Sequence, residues 1–185
     1  MLLKGKRIAI VVTNGFEESE LYQPRKALEA TGAETEIISL DTGAIRRWSS
    51  RNSGEKLKGD LDIDSTAAEH YDALLLPGGV YNPDTLRQSP SVLAFIQHFF
   101  ESAIPVAAIC HAPQVLIEAE VVRDREHTSY PSIKTDLVNA GARWRDKPVV
   151  VDNGLVTSRS PKDLPVFCSK IVEEFAEGRH AQHVA

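Results

Sequence analysis

The residues best suited to chemistry in this chain stand where an apolar run ends. Ile104-Pro105-Val106-Ala107-Ala108-Ile109 stops at Cys110-His111, and Ala112-Pro113-Gln114 follows. A short apolar run bounded in this way reads as a buried parallel strand. Proline is favoured in the first helical turn, so Pro113 places a helix start one or two residues earlier. Cys110 is thereby predicted on a strand-to-helix turn with its sulfur facing free helix N–H groups. Such groups favour an anion and should lower the thiol pKa. This is the geometry of a nucleophile elbow, in which the positions two before and two after must be small. Here they are Ala108 and Ala112. The competing reading is a core cysteine at a strand end, since free cysteine is commonly buried. The adjacent His111, able to shuttle a proton, favours chemistry.

Two other stretches end apolar strands with unusual residues. After Arg7–Val12 comes Thr13-Asn14-Gly15-Phe16-Glu17-Glu18-Ser19-Glu20, which packs three carboxylates into the opening of a helix. Acidic residues there also complement the helix dipole, so dipole duty is the alternative for each of them. After Tyr71–Leu76 comes Pro77-Gly78-Gly79, a turn that lets backbone N–H groups point into a cleft. On its own a Gly-Gly turn is also simply a tight turn.

These stretches need elements to hold them. The first helix is expected over Phe16–Ala30, stopped by Gly32, with a local kink or irregular turn at Pro24. Glu34–Leu40 reads as a second strand. Residues 41–64 are polar and irregular, a surface excursion with short strands at Ala44–Trp48 and Lys56–Lys58, in which Trp48 is a packing or rim residue. A short helix is expected to start at Pro83, and an amphipathic one runs over Pro90–Ser102. The helix after Cys110 reaches about Ala119. A β segment follows around His127–Tyr130, then a helix over Ser132–Ala140 stopped by Gly141. Strands at Pro148–Val151 and Leu155–Ser158 are joined by Asn153-Gly154, the strongest hairpin signal in the chain. Leu164, Phe167, Cys168, Ile171, Val172 and Phe175 give a helix over Asp163–Ala176 its apolar stripe, which makes Cys168 a packing residue. Residues 178–185 form a polar, flexible tail in which His180 and His183 have no neighbouring ligands. The alternation predicts a single-domain, flavodoxin-like α/β sandwich of three layers: a mostly parallel sheet with helices on both faces. In such sheets sites form at the carboxyl ends of strands, where Gly15–Glu20, Pro77–Gly79 and Cys110–His111 converge.

Composition excludes several function classes. The chain has 185 residues, 42% of them hydrophobic, and a formal net charge of −5. No basic excess is available for phosphates, so nucleic acid is not expected as the main partner. No stretch approaches the roughly 20 apolar residues that span a bilayer. The amino terminus leads straight into a strand rather than a signal-peptide pattern. Two cysteines in unlike settings do not make a disulfide framework. A reduced, cytoplasmic setting is therefore expected. No pair of His or Cys residues has metal-ligand spacing, and neither metal nor cofactor is expected.

The ordered set of motifs resembles the PfpI family (ThiJ/PfpI), within the wider class I glutamine amidotransferase-like superfamily. The matching stretches are Gly15–Glu20, Leu75-Leu76-Pro77-Gly78-Gly79, Asn82-Pro83-Asp84-Thr85-Leu86-Arg87 and Ala107–Pro113, with Thr135–Ala142 and Leu155–Arg159 beyond them. Ala112 departs from the family, which usually has glycine after the Cys-His pair; a methyl group there could narrow the site or block a positive φ. The resemblance implies a nucleophilic Cys110 beside His111, with Glu20 hydrogen-bonding the sulfur and carrying a proton when Cys110 is ionised. It matches Asp84 to an acidic residue that reaches the histidine of a neighbouring subunit, giving a Cys-His-acid arrangement across a homodimer or larger homo-oligomer. It makes the N–H groups of Gly79 and His111 the oxyanion donors.

Three readings of function follow. The first is a cytoplasmic cysteine hydrolase of the stress response: a peptidase, or a deglycase removing methylglyoxal or glyoxal adducts from proteins. Both need a thiolate at an electrophilic carbon and a histidine that moves a proton. The second is a redox sensor or holding chaperone in which Cys110 is oxidised. The third, a glutamine amidotransferase, ranks last: that class uses a late His-x-Glu, and Thr157-Ser158-Arg159-Ser160-Pro161 contains no histidine.

Overall fold

Apolar, β-branched runs alternate with amphipathic stretches along this chain, and the fold follows that alternation. The computed structural model describes residues 1–40, 43–47 and 57–179. In chain order the elements are β1 (Arg7–Val11), α1 (Glu18–Ala30), β2 (Glu34–Ser39), β3 (Ala44–Ile45), β4 (Leu57–Lys58) and β5 (Leu61–Asp62). β6 (Ala73–Leu76), α2 (Tyr81–Leu86), α3 (Pro90–Glu101), β7 (Val106–Ile109) and α4 (Pro113–Glu118) build the middle. β8 (Glu126–His127), α5 (Lys134–Asn139), β9 (Arg143–Trp144), β10 (Val149–Asp152), β11 (Leu155–Ser158) and α6 (Leu164–Glu177) complete it.

Seven strands form one sheet in the order β10-β11-β7-β6-β1-β2-β5. All neighbours are parallel except β10, which pairs antiparallel with β11. That hairpin turns at Asn153-Gly154, both left-handed with φ of 46° and 79°, as a two-residue turn of type I′ requires. β7, which delivers Cys110, lies between β6 and β11, with Leu76 paired to Ala108 and Ser158 paired to Ile109.

Side chains alternate across the sheet, so each strand feeds two apolar layers. Ala9, Val11, Leu74, Leu76, Val106 and Ala108 face α3 and α4, meeting Phe95, Phe99, Val115 and Leu116. Ile8, Ile10, Leu75, Ala107 and Ile109 face α1 and α6, meeting Leu21, Leu28, Phe167, Ile171 and Phe175. Cys110 belongs to this second layer, which puts its side chain on the side of the sheet that carries α1.

The flavodoxin-like sandwich expected from the sequence is the fold found. Several details differ. α1 continues through Pro24, which is buried on the helix's inner face with Glu20, Leu21 and Leu28. The expected helix over Ser132–Ala140 is instead a 3-10 turn at Pro131–Ile133 followed by α5. β5 and β9 are two-residue strands, too short for a period to show. Within the excursion, β3 and β4 pair antiparallel near the expected positions; Trp48 and Lys56 lie outside the described residues, as do His180 and His183. Among the described residues no helix is long and apolar enough to cross a membrane.

Candidate active site

The carboxyl end of β7 is where the chain turns sharply. Cys110 has φ of 65°, a left-handed conformation that disfavours any side chain and persists only when its surroundings hold it. Two hydrogen bonds do so: Cys110 N–H donates to the Ser158 carbonyl at 3.0 Å, and the Cys110 carbonyl accepts from Tyr130 N–H at 2.9 Å. Ala108 and Ala112 flank the turn, both fully buried. α4 then starts with Pro113 as its first residue, one or two residues later than expected. Ala112 has φ of −54° and ψ of −33°, ordinary right-handed backbone, so its methyl group blocks no required positive φ.

The Cys110 side chain, 7% exposed, meets two partners. On one side stands Glu20, which α1 carries on its buried face with no exposed surface. Its Oε2 accepts the Gly78 N–H at 2.9 Å, its carboxyl hydrogen-bonds the thiol, and its Oε1 is buried without a hydrogen-bond partner among the described residues. Burial raises the Glu20 pKa to about 8, against the partial relief of the hydrogen bonds from Cys110 and Gly78; the nearby Glu17 adds to the rise. Glu20 therefore holds a proton at neutral pH.

Burial also pushes the Cys110 thiol up, and an ionised Glu20 pushes it further, while the N–H groups of His111 and Gly79 pull it down. This corrects the expectation that the helix end alone would lower the thiol pKa: desolvation outweighs the donors. Once Glu20 is protonated its repulsion disappears and its O–H becomes a third donor to sulfur. Ionisation of the pair is thus one coupled event, in which a proton on Glu20 makes room for a thiolate on Cys110.

On the other side stands His111, half-buried, with Nδ1 3.2 Å from Cys110 Sγ. Its Nε2 lies 3.1 Å from Ser132 Oγ, and its ring stacks on Tyr130 with centroids 4.7 Å apart and planes 24° apart. Burial lowers the His111 pKa, which keeps the imidazole neutral and able to accept a proton.

The strand-end turn at Pro77-Gly78-Gly79 closes the site. A methyl group on Gly78 would collide with Glu20 Oε2, with the Ile109 carbonyl at 2.7 Å and with Cys110 Cβ at 2.8 Å. Gly79 has φ of 88° and packs against the backbone of Gly15 and Glu17. Glycine at both positions is what lets Glu20, the sulfur and the Gly79 N–H share so little space. Buried Asn82 pins the turn: its Oδ1 accepts Thr13 N–H at 2.8 Å, and its Nδ2 donates to the carbonyls of Pro77 and Gly78 at 2.9 and 3.1 Å.

Of the residues singled out from sequence, the structure brings Glu20, Gly79, Cys110 and His111 together. It does not bring Asp84. That residue lies exposed in α2, and within one chain both nitrogens of His111 are taken by Cys110 and Ser132. Nor is Asp84 a helix cap, because the N-cap position of α2 is Val80 and Asp84 follows in the first turn. Sequence reasoning missed Asn82, Tyr130 and Ser132 as parts of the site. The available signal was weak: a polar residue three after a Gly-Gly turn, and a Tyr-Pro-Ser break ahead of a helix.

With the site described, its relatives can be placed. The chain matches the DJ-1/PfpI family over residues 6–174. It is 43% identical over 163 residues to the putative cysteine protease YraA of Bacillus subtilis, covering 88% of this chain and 94% of that protein. It is 40% identical over 167 residues to deglycase PH1704 of Pyrococcus horikoshii, covering 90% of this chain and 98% of that protein. The crystal structure of Drosophila melanogaster DJ-1beta superposes with a TM-score of 0.84 at 31% identity, covering 92% of this chain and 90% of that one. A match that runs from the first strand to near the end of α6 leaves one conclusion: the chain belongs to the DJ-1/PfpI family.

Proposed function

We propose that this protein is a cytoplasmic cysteine hydrolase acting in stress protection, with Cys110 as nucleophile, and that its substrates are glycated proteins carrying methylglyoxal or glyoxal adducts. The single observation that carries this reading is the contact of Cys110 Sγ with His111 Nδ1 on one side and the Glu20 carboxyl on the other. Both partners keep the sulfur ready: neutral His111 accepts the thiol proton as attack begins, and protonated Glu20 donates to the sulfur as its charge grows. The N–H groups of Gly79 and His111, which point at the sulfur, are the donors for an oxygen that becomes negative on the attacked carbon. The protonated imidazole then returns its proton to the leaving amine, and water releases the group held on sulfur. The thiol's small exposed surface suits a compact electrophile at the end of a side chain better than a bond inside an extended peptide. The relatives named as deglycase and putative cysteine protease support the hydrolytic class.

The proposal includes a homodimer or larger homo-oligomer with a composite site, in which Asp84 of one copy reaches His111 of the next. Its support is that Asp84 is exposed and that its carboxylate makes no hydrogen bond or ion pair among the described residues. A substrate panel of glycated peptides, free aldehydes and unfolded protein tests the activity. Turnover of glycated peptides that disappears in Cys110→Ala is expected, and turnover that survives this substitution refutes the nucleophile. Turnover of unfolded protein alone moves the assignment to a peptidase. For the composite site, Cys110→Ala and Asp84→Ala are each expected to be inactive and to regain activity when their subunits exchange. No recovery after exchange has been verified by native mass spectrometry removes Asp84 from the site.

A further inference from the structure

Among the described residues, Ser132 and Cys110 are the two whose side chains lie within hydrogen-bond distance of the His111 ring nitrogens. The Ser132 hydroxyl is not there by chance of a loose loop. Ile133, next to it, is buried in the core, and Tyr130, two positions back, donates its N–H to the Cys110 carbonyl. The Tyr130 carbonyl accepts from Ser129 Oγ at 3.0 Å, and Ser129 Oγ in turn accepts from Trp144 Nε1 at 3.0 Å. The 3-10 turn at Pro131–Ile133 is thus fastened at both ends, and the hydroxyl is held at a fixed place beside His111 Nε2.

We infer that Ser132 is a positioning residue for His111, holding the ring in the tautomer whose Nδ1 lone pair faces the Cys110 thiol. A hydroxyl can accept or donate. When Nε2 carries the hydrogen it donates to Ser132 Oγ, and Nδ1 is left free to accept from sulfur. After the thiol proton has moved to Nδ1, Nε2–H still donates to the same oxygen, so the ring need not turn during the transfer. Stacking on Tyr130 fixes the ring plane; a thiol that donates to Nδ1 leaves the hydrogen on Nε2, and the Ser132 oxygen is there to receive it. The inference rests on the reading of His111 as proton carrier, and it assigns within a single chain a duty otherwise given only to a carboxylate from a second copy.

The test needs no substrate, so its failure is distinct from failure of the proposed activity. Ring nitrogen chemical shifts of His111 and the rate of Cys110 alkylation at pH 7 are measured for wild type, Ser132→Ala and Ser132→Thr. In wild type Nε2 is expected to be the protonated nitrogen. Ser132→Ala is expected to mix the tautomers and slow alkylation about tenfold, the scale of one hydrogen bond to a group that becomes charged. Ser132→Thr restores both to within about twofold of wild type. Unchanged ring shifts in Ser132→Ala overturn the inference, as does a slow Ser132→Thr. A change in unfolding midpoint with wild-type ring shifts shows a merely structural serine and overturns it as well. If Asp84→Asn, and not Ser132→Ala, moves the shifts, the partner's carboxylate sets the ring and the inference falls.

Discussion

Substituting Glu20 by glutamine should make the protein more stable, by an amount that depends on pH. The carboxyl ionises near 4.5 in an unfolded chain and at about 8 in this fold, chiefly because it is buried. Between those values the folded chain binds more protons than the unfolded one. Stability therefore falls as pH rises from about 4.5 to about 8, and it is flat on either side. At 1.36 kcal/mol for each pH unit, the penalty at pH 7 is roughly 3 kcal/mol, growing to roughly 5 at pH 8 and above. Glutamine has the same shape and no charge to bury. Its carbonyl can accept the Gly78 N–H now bound by Oε2, and its amide can donate toward the sulfur. Glu20→Gln should accordingly match wild type in stability near pH 4.5 and exceed it by about 3 kcal/mol at pH 7. Urea unfolding at half-unit pH steps measures this, with the same pair repeated in a Cys110→Ala background to remove the coupled thiol. A difference between the two proteins that does not change with pH, or that vanishes in the Cys110→Ala background, refutes burial as the cause. Cys110 alkylation reads the same proton: the wild-type rate should turn down above pH 8 as Glu20 ionises, and that decline should be absent in Glu20→Gln.

Buried His127 has its pKa lowered to about 4, mainly by burial, and its Nε2 has no hydrogen-bond partner among the described residues. The unfolded chain protonates it near 6.5, so stability is lost as pH falls from about 6.5 to about 4, by roughly 3 kcal/mol in all. His127→Leu should flatten that acid limb in urea titrations, and an unchanged limb removes His127 as its source. Asn82→Ala should cost about 2–4 kcal/mol in unfolding experiments, because it strands buried groups on Thr13, Pro77 and Gly78; a loss below 1 kcal/mol contradicts the pinning role. In folded protein, limited iodoacetamide should label Cys110 ahead of Cys168: burial raises both thiols, but His111 Nδ1 stands 3.2 Å from the Cys110 sulfur to take its proton. Preferential labelling of Cys168, mapped by mass spectrometry, counts against the elbow.

Much of this arrangement is written locally. The apolar strands, the small residues around Cys110 and the Asn153-Gly154 turn each follow from rules that act over a few positions, and each is where the sequence puts it. Glu20 is a harder case. Nothing in the run Glu17-Glu18-Ser19-Glu20 separates the buried carboxyl from its neighbours except its place on the helix: Glu20, Pro24 and Leu28 share one face. The thiol was misjudged because the helix-end effect is local, whereas desolvation depends on what α1 and the Gly78 turn stack around the sulfur. The sequence reads Tyr130 as the end of a β segment and Ser132 as a helix start; their contact with His111 arises only when a segment 20 residues downstream folds back over β7. Asp84 stays outside the single-chain site, exposed in α2; the role between copies comes only from the family resemblance, which no rule acting within one chain can supply.

The order of the sheet has a consequence for how this protein comes into being. β7 is flanked by β6 on one side and by β11, some fifty residues later in the chain, on the other. Such distant pairings close late, since loop entropy must be overcome before they form. Ser158 and Tyr130, the two residues that hold Cys110 in its left-handed turn, both arrive from that late half of the chain. A partly synthesised or partly folded chain thus carries an ordinary cysteine, and the tuned one exists only after the last parallel strand has docked. The sulfur's reactivity works as a built-in gauge of complete folding. Followed by pulsed alkylation during refolding, its emergence should trail the appearance of helical signal.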